Sequence, residues 1–188
     1  MNLNVSAAPH IRSKDSTSKI MLDVLIALVP ALIAAVIIFG FRALVLTAIS
    51  AAACVVFEAL MCLAMRRKMT VGDLSAVVTG VLLAFSLPVS CPYWVVIVGD
   101  AFAIIVVKGL VGGLGQNIFN PALGGRAFMM LFWPSAVTRF TTDSVSAGAF
   151  GGVDIVASVT PMQNMHMGSL PADTSLVNMF LGNHGGSL

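Results

Sequence analysis

The sequence predicts an all-α polytopic membrane protein, and three observations lead to this fold class. Of its 188 residues, 58% are hydrophobic and only 10% are charged, whereas soluble globular domains carry about 25% charged residues. The apolar residues form almost unbroken runs over residues 20–137. Glycine, proline and the few charges divide these runs into segments approaching the ~20 residues that a helix needs to cross a bilayer.

The first two spans form a hairpin. One is predicted over Met21–Gly40, and Pro30 in its middle is expected to kink it, because proline removes a helical hydrogen bond. Phe41 and Arg42 follow as a tight corner. The second span is predicted over Ala43–Met65 and is followed by three basic residues, Arg66, Arg67 and Lys68.

Three shorter spans follow, which makes about five in all. They are predicted over Leu74–Leu87, which contains Gly80, over Trp94–Val107, and over Pro121–Val137. Short or interrupted helices are tolerated at membrane depth only where protein or a cavity covers the freed backbone groups. Such segments either line a ligand site, as in transporters built from repeats, or allow close helix packing through small residues.

The distribution of Lys and Arg predicts which side of the membrane each segment faces. The first 19 residues and the run 66–68 are basic, and basic segments collect on the cytoplasmic side. Counting spans onward then places the turn at 89–93 outside and the loop at 108–120 inside. The predicted organisation is a cytoplasmic N-terminal segment (1–19), a membrane domain (20–137) and an external polar tail (138–188).

Two classes of function find no support in the composition. The net charge of +2, without a basic stretch interleaved with aromatic residues, argues against nucleic-acid binding. Cys54, Cys62 and Cys91 are interpreted as small core residues, because an iron–sulfur cluster typically needs four thiolates. No metal site is predicted.

Ionisable residues within membrane spans are costly and indicate function by default. Glu58 is predicted to pair with a neighbouring cation rather than face a polar cavity, and Lys108 to reach the interface through its flexible chain. Arg126 cannot lose its proton. It therefore needs either a ligand such as a phosphate or a structural partner, for which Asp100 is the candidate.

Neutral amides are concentrated in the glycine-rich loop before the fifth span. Asn120 followed by Pro121 is typical of a helix start, with Asn as the cap. Capping explains Asn120 but not the nearby Gln116 and Asn117. Since a helix N-terminus also presents free N–H groups to an anion, Asn117 and Asn120 are candidate ligand-binding residues.

Short motifs follow one another along the chain at Pro9–Ser13, Ile20–Leu28, Pro30–Ala31, Thr79–Leu83, Leu87–Pro88, Pro92–Trp94 and Gly112–Ala122. Together they resemble the D subunit of the Rnf electron-transfer complex and the related B subunit of the sodium-pumping NADH:quinone oxidoreductase. The resemblance covers essentially the whole chain, and the order and spacing of the motifs make it specific.

The resemblance also implies a covalent cofactor. In that family flavin mononucleotide (FMN) is joined through its phosphate to a threonine hydroxyl. This sequence matches the acceptor motif at Asp154, Ser158 and Thr160, and departs from it at Ala157 and Val159, where Ser or Thr and Ala are usual. The expected cofactor-binding residues are thus Thr160, as the attachment site, with Asp154, Ser158, Asn117, Asn120 and Arg126.

The function implied by the resemblance is that of a membrane subunit in an ion-translocating ferredoxin:NAD oxidoreductase complex of the bacterial inner membrane. The chain would be an enzyme as a subunit rather than alone, relaying electrons through FMN on Thr160. A second, non-covalent flavin is a further candidate cofactor. The implied partners are the lipid bilayer, a flavin transferase and the other Rnf subunits. These include a membrane-anchored subunit bearing FMN and a cytoplasmic subunit that binds NAD.

Members of this family have two related halves. The present chain is therefore expected to be one half of an inverted-repeat bundle and to lack the second. An alternative that needs no cofactor is a flavin-free membrane channel or transporter for a small solute, which the broken helices would suit. An inert scaffold subunit is a third interpretation.

Overall fold

The computed structural model describes residues 16–66, 71–110 and 119–138. These residues form helices and turns without a strand, which confirms the all-α fold class. Tyr93–Ala101 continues without interruption into a π-helical stretch, which we call the π segment. The elements in order are α1 (Thr17–Phe39), α2 (Phe41–Ala64), a 3-10 turn (Val71–Asp73), α3 (Ser75–Phe85), α4 (Tyr93–Ala101), the π segment (Phe102–Leu110), α5 (Pro121–Phe132) and α6 (Pro134–Thr138).

Three of the described helices are long and apolar enough to cross a membrane: Thr17–Phe39, Phe41–Ala64 and Tyr93–Leu110. Helix α3 is apolar but has only 11 residues, which at 1.5 Å per residue span about 16 Å. It cannot cross a hydrocarbon core of about 30 Å by itself. The chain is thus a polytopic helical protein, whereas the count of five spans stays a prediction.

The corner between α1 and α2 lies one residue earlier than predicted. Gly40 has a φ of 78° and its N–H donates to Val36 O at 2.9 Å, which ends α1. This left-handed backbone region favours glycine. Phe41 and Arg42, expected to form the corner, are instead the first residues of α2. Helix α1 itself continues through Pro30.

The last predicted span is divided. Helix α5 ends at Phe132 and α6 begins at Pro134, with Trp133 between them at φ −133° and ψ 59°. Proline disfavours the α conformation in the residue before it. The Trp133–Pro134 pair therefore breaks the span that the hydrophobic run alone predicts as continuous.

Small residues let the helices approach closely. A Cβ atom built on Gly80 of α3 would lie 2.7 Å from Ala51 Cα of α2, and one on Gly125 of α5 would lie 2.9 Å from Gly99 O of α4. Close packing, one of the two roles considered for the glycines, therefore applies at both of these positions.

Contacts at the two ends of the bundle show that successive helices alternate in direction. Arg42 Nε donates to Val89 O at 2.8 Å and its guanidinium lies 5.0 Å above the Tyr93 ring, which joins the α1–α2 corner to the α3–α4 turn. At the opposite end Ser18 Oγ donates to Gly72 O at 3.1 Å. This order agrees with the predicted up-and-down path. Which end faces the cytoplasm stays a prediction.

Candidate functional site

The predicted site residues fall into two groups. Asp154, Ser158, Thr160 and Asn117 lie outside the described residues. Asn120 and Arg126 are described, at the start and in the middle of α5. The flavin-attachment motif therefore stays a prediction, and the geometry concerns the membrane-spanning part of the chain.

Asn120 caps α5 as predicted. Its Oδ1 accepts a hydrogen bond from the Ala122 N–H at 3.0 Å, and Pro121 occupies the first helical position. Its side chain is exposed. Capping satisfies one of the free N–H groups of the first turn. Ligand binding by Asn120 stays a prediction.

Arg126 is not paired with Asp100, so that predicted alternative is wrong. In the described part of the chain, Asp100 bonds to Ser50 and Cys54 instead, and no ion pair joins it to Arg126. The reason lies in the rotation of α5. Gly125, rather than its half-buried neighbour Arg126, faces α4. A ligand contact of Arg126 stays a prediction.

A row of polar side chains runs along one face of α2. Ser50, Cys54 and Glu58 are spaced four residues apart, so they lie on the same side of the helix. Their exposed fractions are 0%, 0% and 3%. We call these three residues, with the groups they contact, the polar row. In the sequence, only Glu58 is recognisable as a candidate functional residue by its type. The four-residue spacing of all three within an apolar helix is the signal that could have revealed the row.

Asp100 of α4 lies at one end of this row and is fully buried. Its Oδ1 is 2.8 Å from Ser50 Oγ and 3.2 Å from Cys54 Sγ. Ser50 Oγ also lies 2.9 Å from Gly80 O of α3. The other carboxyl oxygen, Asp100 Oδ2, has no hydrogen-bond partner among the described residues. A buried carboxyl group thus meets hydroxyl and thiol groups rather than a positive charge.

An ion pair lies farther along the row. Lys108 of the π segment pairs with Glu58, and the two side chains are only 7% and 4% exposed. Lys108 Nζ also donates to Ser75 Oγ at 2.6 Å, and this hydroxyl donates to Asp73 Oδ1 at 2.6 Å. The predicted pairing of Glu58 is confirmed. The expectation that Lys108 extends to the interface is wrong, because Glu58 provides its counter-charge inside the bundle.

The backbone between Asp100 and Lys108 is irregular. Residues Phe102–Leu110 form a π helix, a rare conformation that occurs mostly as short insertions in α-helices and is frequent at functional sites. The segment carries Lys108 toward α2 while Ala103 and Val107 pack against the glycines of α5. Asp100 and Lys108 are therefore both directed into the bundle.

A small cavity of about 230 Å³ lies at the other end of the bundle from the Glu58–Lys108 ion pair. The Trp94 and Trp133 rings meet there edge to face, with centroids 5.4 Å apart. The cavity lies where the α3–α4 turn meets the break between α5 and α6. Its lining residues are Ser90, Pro92, Trp94, Val95, Trp133, Ser135 and Ala136.

The three cysteines are buried and none is part of a disulfide among the described residues, as expected for core residues. Burial raises the pKa of the Cys91 thiol to about 11, although Arg42 opposes the shift. A thiol that stays protonated is a poor metal ligand. The described residues contain no group of three or more His, Cys, Asp or Glu that could hold a metal ion.

Comparison with known proteins decides the family. The profile of the NQR2, RnfD, RnfE family matches residues 4–188. The chain belongs to this family. One relative, the D subunit of the Na(+)-translocating ferredoxin:NAD(+) oxidoreductase complex of Acetobacterium woodii, is 44% identical over 98% of this chain and 56% of its own length.

Two other relatives have related names. The D subunit of the proton-translocating ferredoxin:NAD(+) oxidoreductase complex of Clostridium ljungdahlii is 42% identical over 84% of this chain and 46% of its own length. The D subunit of the ion-translocating oxidoreductase complex of Shewanella amazonensis is 30% identical over 97% of this chain and 56% of its own length. The chain thus spans about half the length of these relatives.

Proposed function

We propose that this chain is part of a membrane subunit of an ion-translocating ferredoxin:NAD oxidoreductase complex, which relays electrons through FMN attached to Thr160. The observation that carries the proposal is the 44% identity, over 98% of the chain, to a D subunit named for that activity. The polytopic helical fold is consistent with a subunit of this kind.

The proposed attachment rests on the motif around Thr160. Its hydroxyl would form the phosphoester, Asp154 would position the incoming group, and Ser158 completes the match. Bound flavin supplies the ability to accept two electrons and pass them on singly, while the protein orients it and tunes its potential. Asn117, Asn120 and Arg126 are the further residues proposed to bind flavin, because they offer amide groups and a permanent positive charge.

The cavity lined by Trp94 and Trp133 supports the proposal of an aromatic cofactor. The cavity beside Trp94 and Trp133 lies at the end of the bundle that the distribution of basic residues predicts to be external, and α6 ends nearby at Thr138. Two tryptophan rings offer stacking surfaces for a flat heterocycle. At about 230 Å³ the cavity is smaller than typical ligand sites of about 300–1,000 Å³. It would therefore hold part of an isoalloxazine ring.

The proposal includes the surroundings of the subunit. We place the chain in the bacterial inner membrane, with residues 1–19 cytoplasmic and the Thr160 segment external. Its proposed partners are a membrane-anchored subunit bearing FMN, a cytoplasmic subunit that binds NAD, and a flavin transferase. A second half of an inverted repeat and a second, non-covalent flavin belong to the same proposal.

In-gel fluorescence tests the proposed cofactor. The complete subunit is produced in cells that contain the flavin transferase, denatured, and examined for ultraviolet-excited fluorescence and for added mass. Thr160→Ala should abolish both signals without preventing membrane insertion, whereas Thr141→Ala and Thr142→Ala, matched hydroxyl losses in the same tail, should retain them. Fluorescence that persists in Thr160→Ala would show that another residue carries the flavin.

A second candidate is a flavin-free channel or transporter for a small solute. The observation that favours it is the polar row, since ionisable side chains inside a membrane bundle often mark a solute or ion path. Wild-type protein without fluorescence, together with solute uptake into vesicles containing it, would support this candidate over the redox subunit.

A further inference from the structure

We propose that Asp100 is a proton-binding site within the membrane domain, and that it carries its proton, as a neutral carboxylic acid, when the bundle has the observed geometry. This goes beyond the proposed function, because the site depends on α2, α3 and α4 and not on flavin at Thr160. The reaction is the reversible addition of one proton to one carboxylate oxygen, which removes one negative charge from the bundle.

The number of hydrogens available to Ser50 supports a protonated Asp100. Ser50 Oγ lies 2.9 Å from Gly80 O and 2.8 Å from Asp100 Oδ1, and a serine hydroxyl donates only one hydrogen. If Asp100 were ionised, both neighbours would compete for that hydrogen. If Oδ1 carries a proton, it donates to Ser50 Oγ, and Ser50 in turn donates to Gly80 O. Both short contacts are then hydrogen bonds.

Among the described residues, no positively charged group pairs with Asp100 to stabilise a carboxylate. The side chain is 0% exposed, and Oδ2 has no hydrogen-bond partner in the described ranges. An isolated buried carboxylate is so costly that such groups become neutral instead. An unpartnered Oδ2 costs far less in the acid than in the ion, because the acid carries no net charge.

The ionisable groups on the neighbouring elements do not change this conclusion. On α2, Cys54 is a weak thiol donor to Oδ1 at 3.2 Å. Glu58 of α2 and Lys108 of the π segment are farther along the row and pair with each other. Helix α3 has no titratable side chain, and Arg126 of α5 forms no ion pair with Asp100 where the structure describes both.

The position of Asp100 also suits reversible occupancy. It is the first ionisable group of a polar row that continues through Cys54 toward Glu58, Lys108 and Ser75. Lys108 balances the charge of Glu58, whereas no described residue provides such a counter-charge for Asp100. The two buried carboxyl groups, Asp100 and Glu58, therefore differ in whether a described residue provides a counter-charge.

Labelling with N,N′-dicyclohexylcarbodiimide tests this distinction. This apolar reagent adds to protonated carboxyl groups in membranes and forms a stable acylurea without a leaving group. The complete subunit in its native membranes is treated near neutral pH and its peptides are analysed by mass spectrometry. We expect an adduct on Asp100, loss of this adduct as the pH is raised, and no adduct on Glu58. An adduct on Glu58 with none on Asp100 would overturn the proposal.

Infrared spectroscopy covers the case in which the reagent fails to reach Asp100. Protein labelled with carbon-13 aspartate is compared with unlabelled protein, and both are compared with Asp100→Asn, which keeps the shape of the side chain. We expect a carbonyl band of a protonated carboxylic acid that shifts with the isotope and is lost in Asp100→Asn. Asp23→Asn, a matched change at an exposed position of α1, should retain it.

The infrared spectrum of the wild-type protein decides whether Asp100 is protonated. If wild-type protein near neutral pH shows only ionised aspartate bands, the proposal is wrong. If Asp100→Asn does not accumulate, the isotope shift and the pH dependence of the band in wild-type protein give the same decision. Flavin fluorescence recorded on the same samples reports separately on Thr160, so failure of one proposal is distinguishable from failure of the other.

Discussion

Glu58 and Lys108 form an ion pair inside the helix bundle, with both charged side chains almost completely buried. They join α2 to the π segment across 50 residues of sequence, and Ser75 of α3 adds a hydrogen bond to Lys108. Three elements thus meet at this pair. Removing one partner of this buried pair should cost more stability than removing one partner of a surface pair. The remaining charge would be left among apolar residues without a counter-charge.

Glu58→Gln should destabilise the folded subunit by about 3–5 kcal/mol, because it leaves the Lys108 ammonium buried without its counter-charge. Thermal unfolding in detergent, followed by loss of soluble monodisperse protein, measures the effect. The double variant Glu58→Gln with Lys108→Met removes both charges and should recover much of the loss. A single variant as stable as wild type would contradict the buried ion pair.

Gly80→Ala should weaken the packing of α3 on α2 by about 1–3 kcal/mol, because overpacking forces the backbone apart. The new Cβ would lie 2.7 Å from Ala51 Cα, and backbone atoms cannot move aside as a flexible side chain can. Gly72→Ala is the matched control, since nothing lies within 4 Å of a Cβ built there. Equal melting temperatures for the two variants would argue against this helix crossing.

Arg42→Leu should separate the α1–α2 corner from the α3–α4 turn. The guanidinium donates to Val89 O at 2.8 Å and lies over the Tyr93 ring. Loss of a hydrogen bond from a charged donor costs about 1.5–3 kcal/mol, and loss of the cation–π contact about 0.5–2 kcal/mol. Tyr93→Phe keeps the ring, so its effect should be smaller. Protease sensitivity at the turn, measured with thermal stability, checks both expectations.

Local chemistry explains which parts of the fold were predictable. The Asn120–Pro121 helix start depends on neighbours in sequence, and the structure confirms it. The break at Trp133 has an equally local cause in Pro134, but the hydrophobic run around it predicts a continuous helix. The glycine at the first corner is likewise a local signal, one residue away from the predicted corner.

The partners of the buried ionisable groups depend on how each helix is rotated about its axis, which a single sequence does not determine. Glu58 could be expected to have a counter-ion, because an unpaired buried carboxylate is costly. That Lys108 provides it depends on the π segment. The sequence offers Arg126 as one partner for Asp100, yet Ser50 and Cys54 contact it. These two small residues look like packing residues unless their spacing with Glu58 is considered.

Arg126→Leu tests whether the remaining charge on α5 binds a ligand. Because Arg126 is half-buried and has no ion pair within the described ranges, its removal should change stability by no more than about 0.5 kcal/mol, as at sites without special contacts. If its charge contacts flavin phosphate or ring, flavin content or the reduction midpoint of the complete subunit should change, and Arg126→Lys should restore part of the wild-type value. Unchanged flavin content and midpoint in Arg126→Leu would remove Arg126 from the cofactor site. The proposed role of Thr160 would be unaffected, since it rests on a separate motif in the tail.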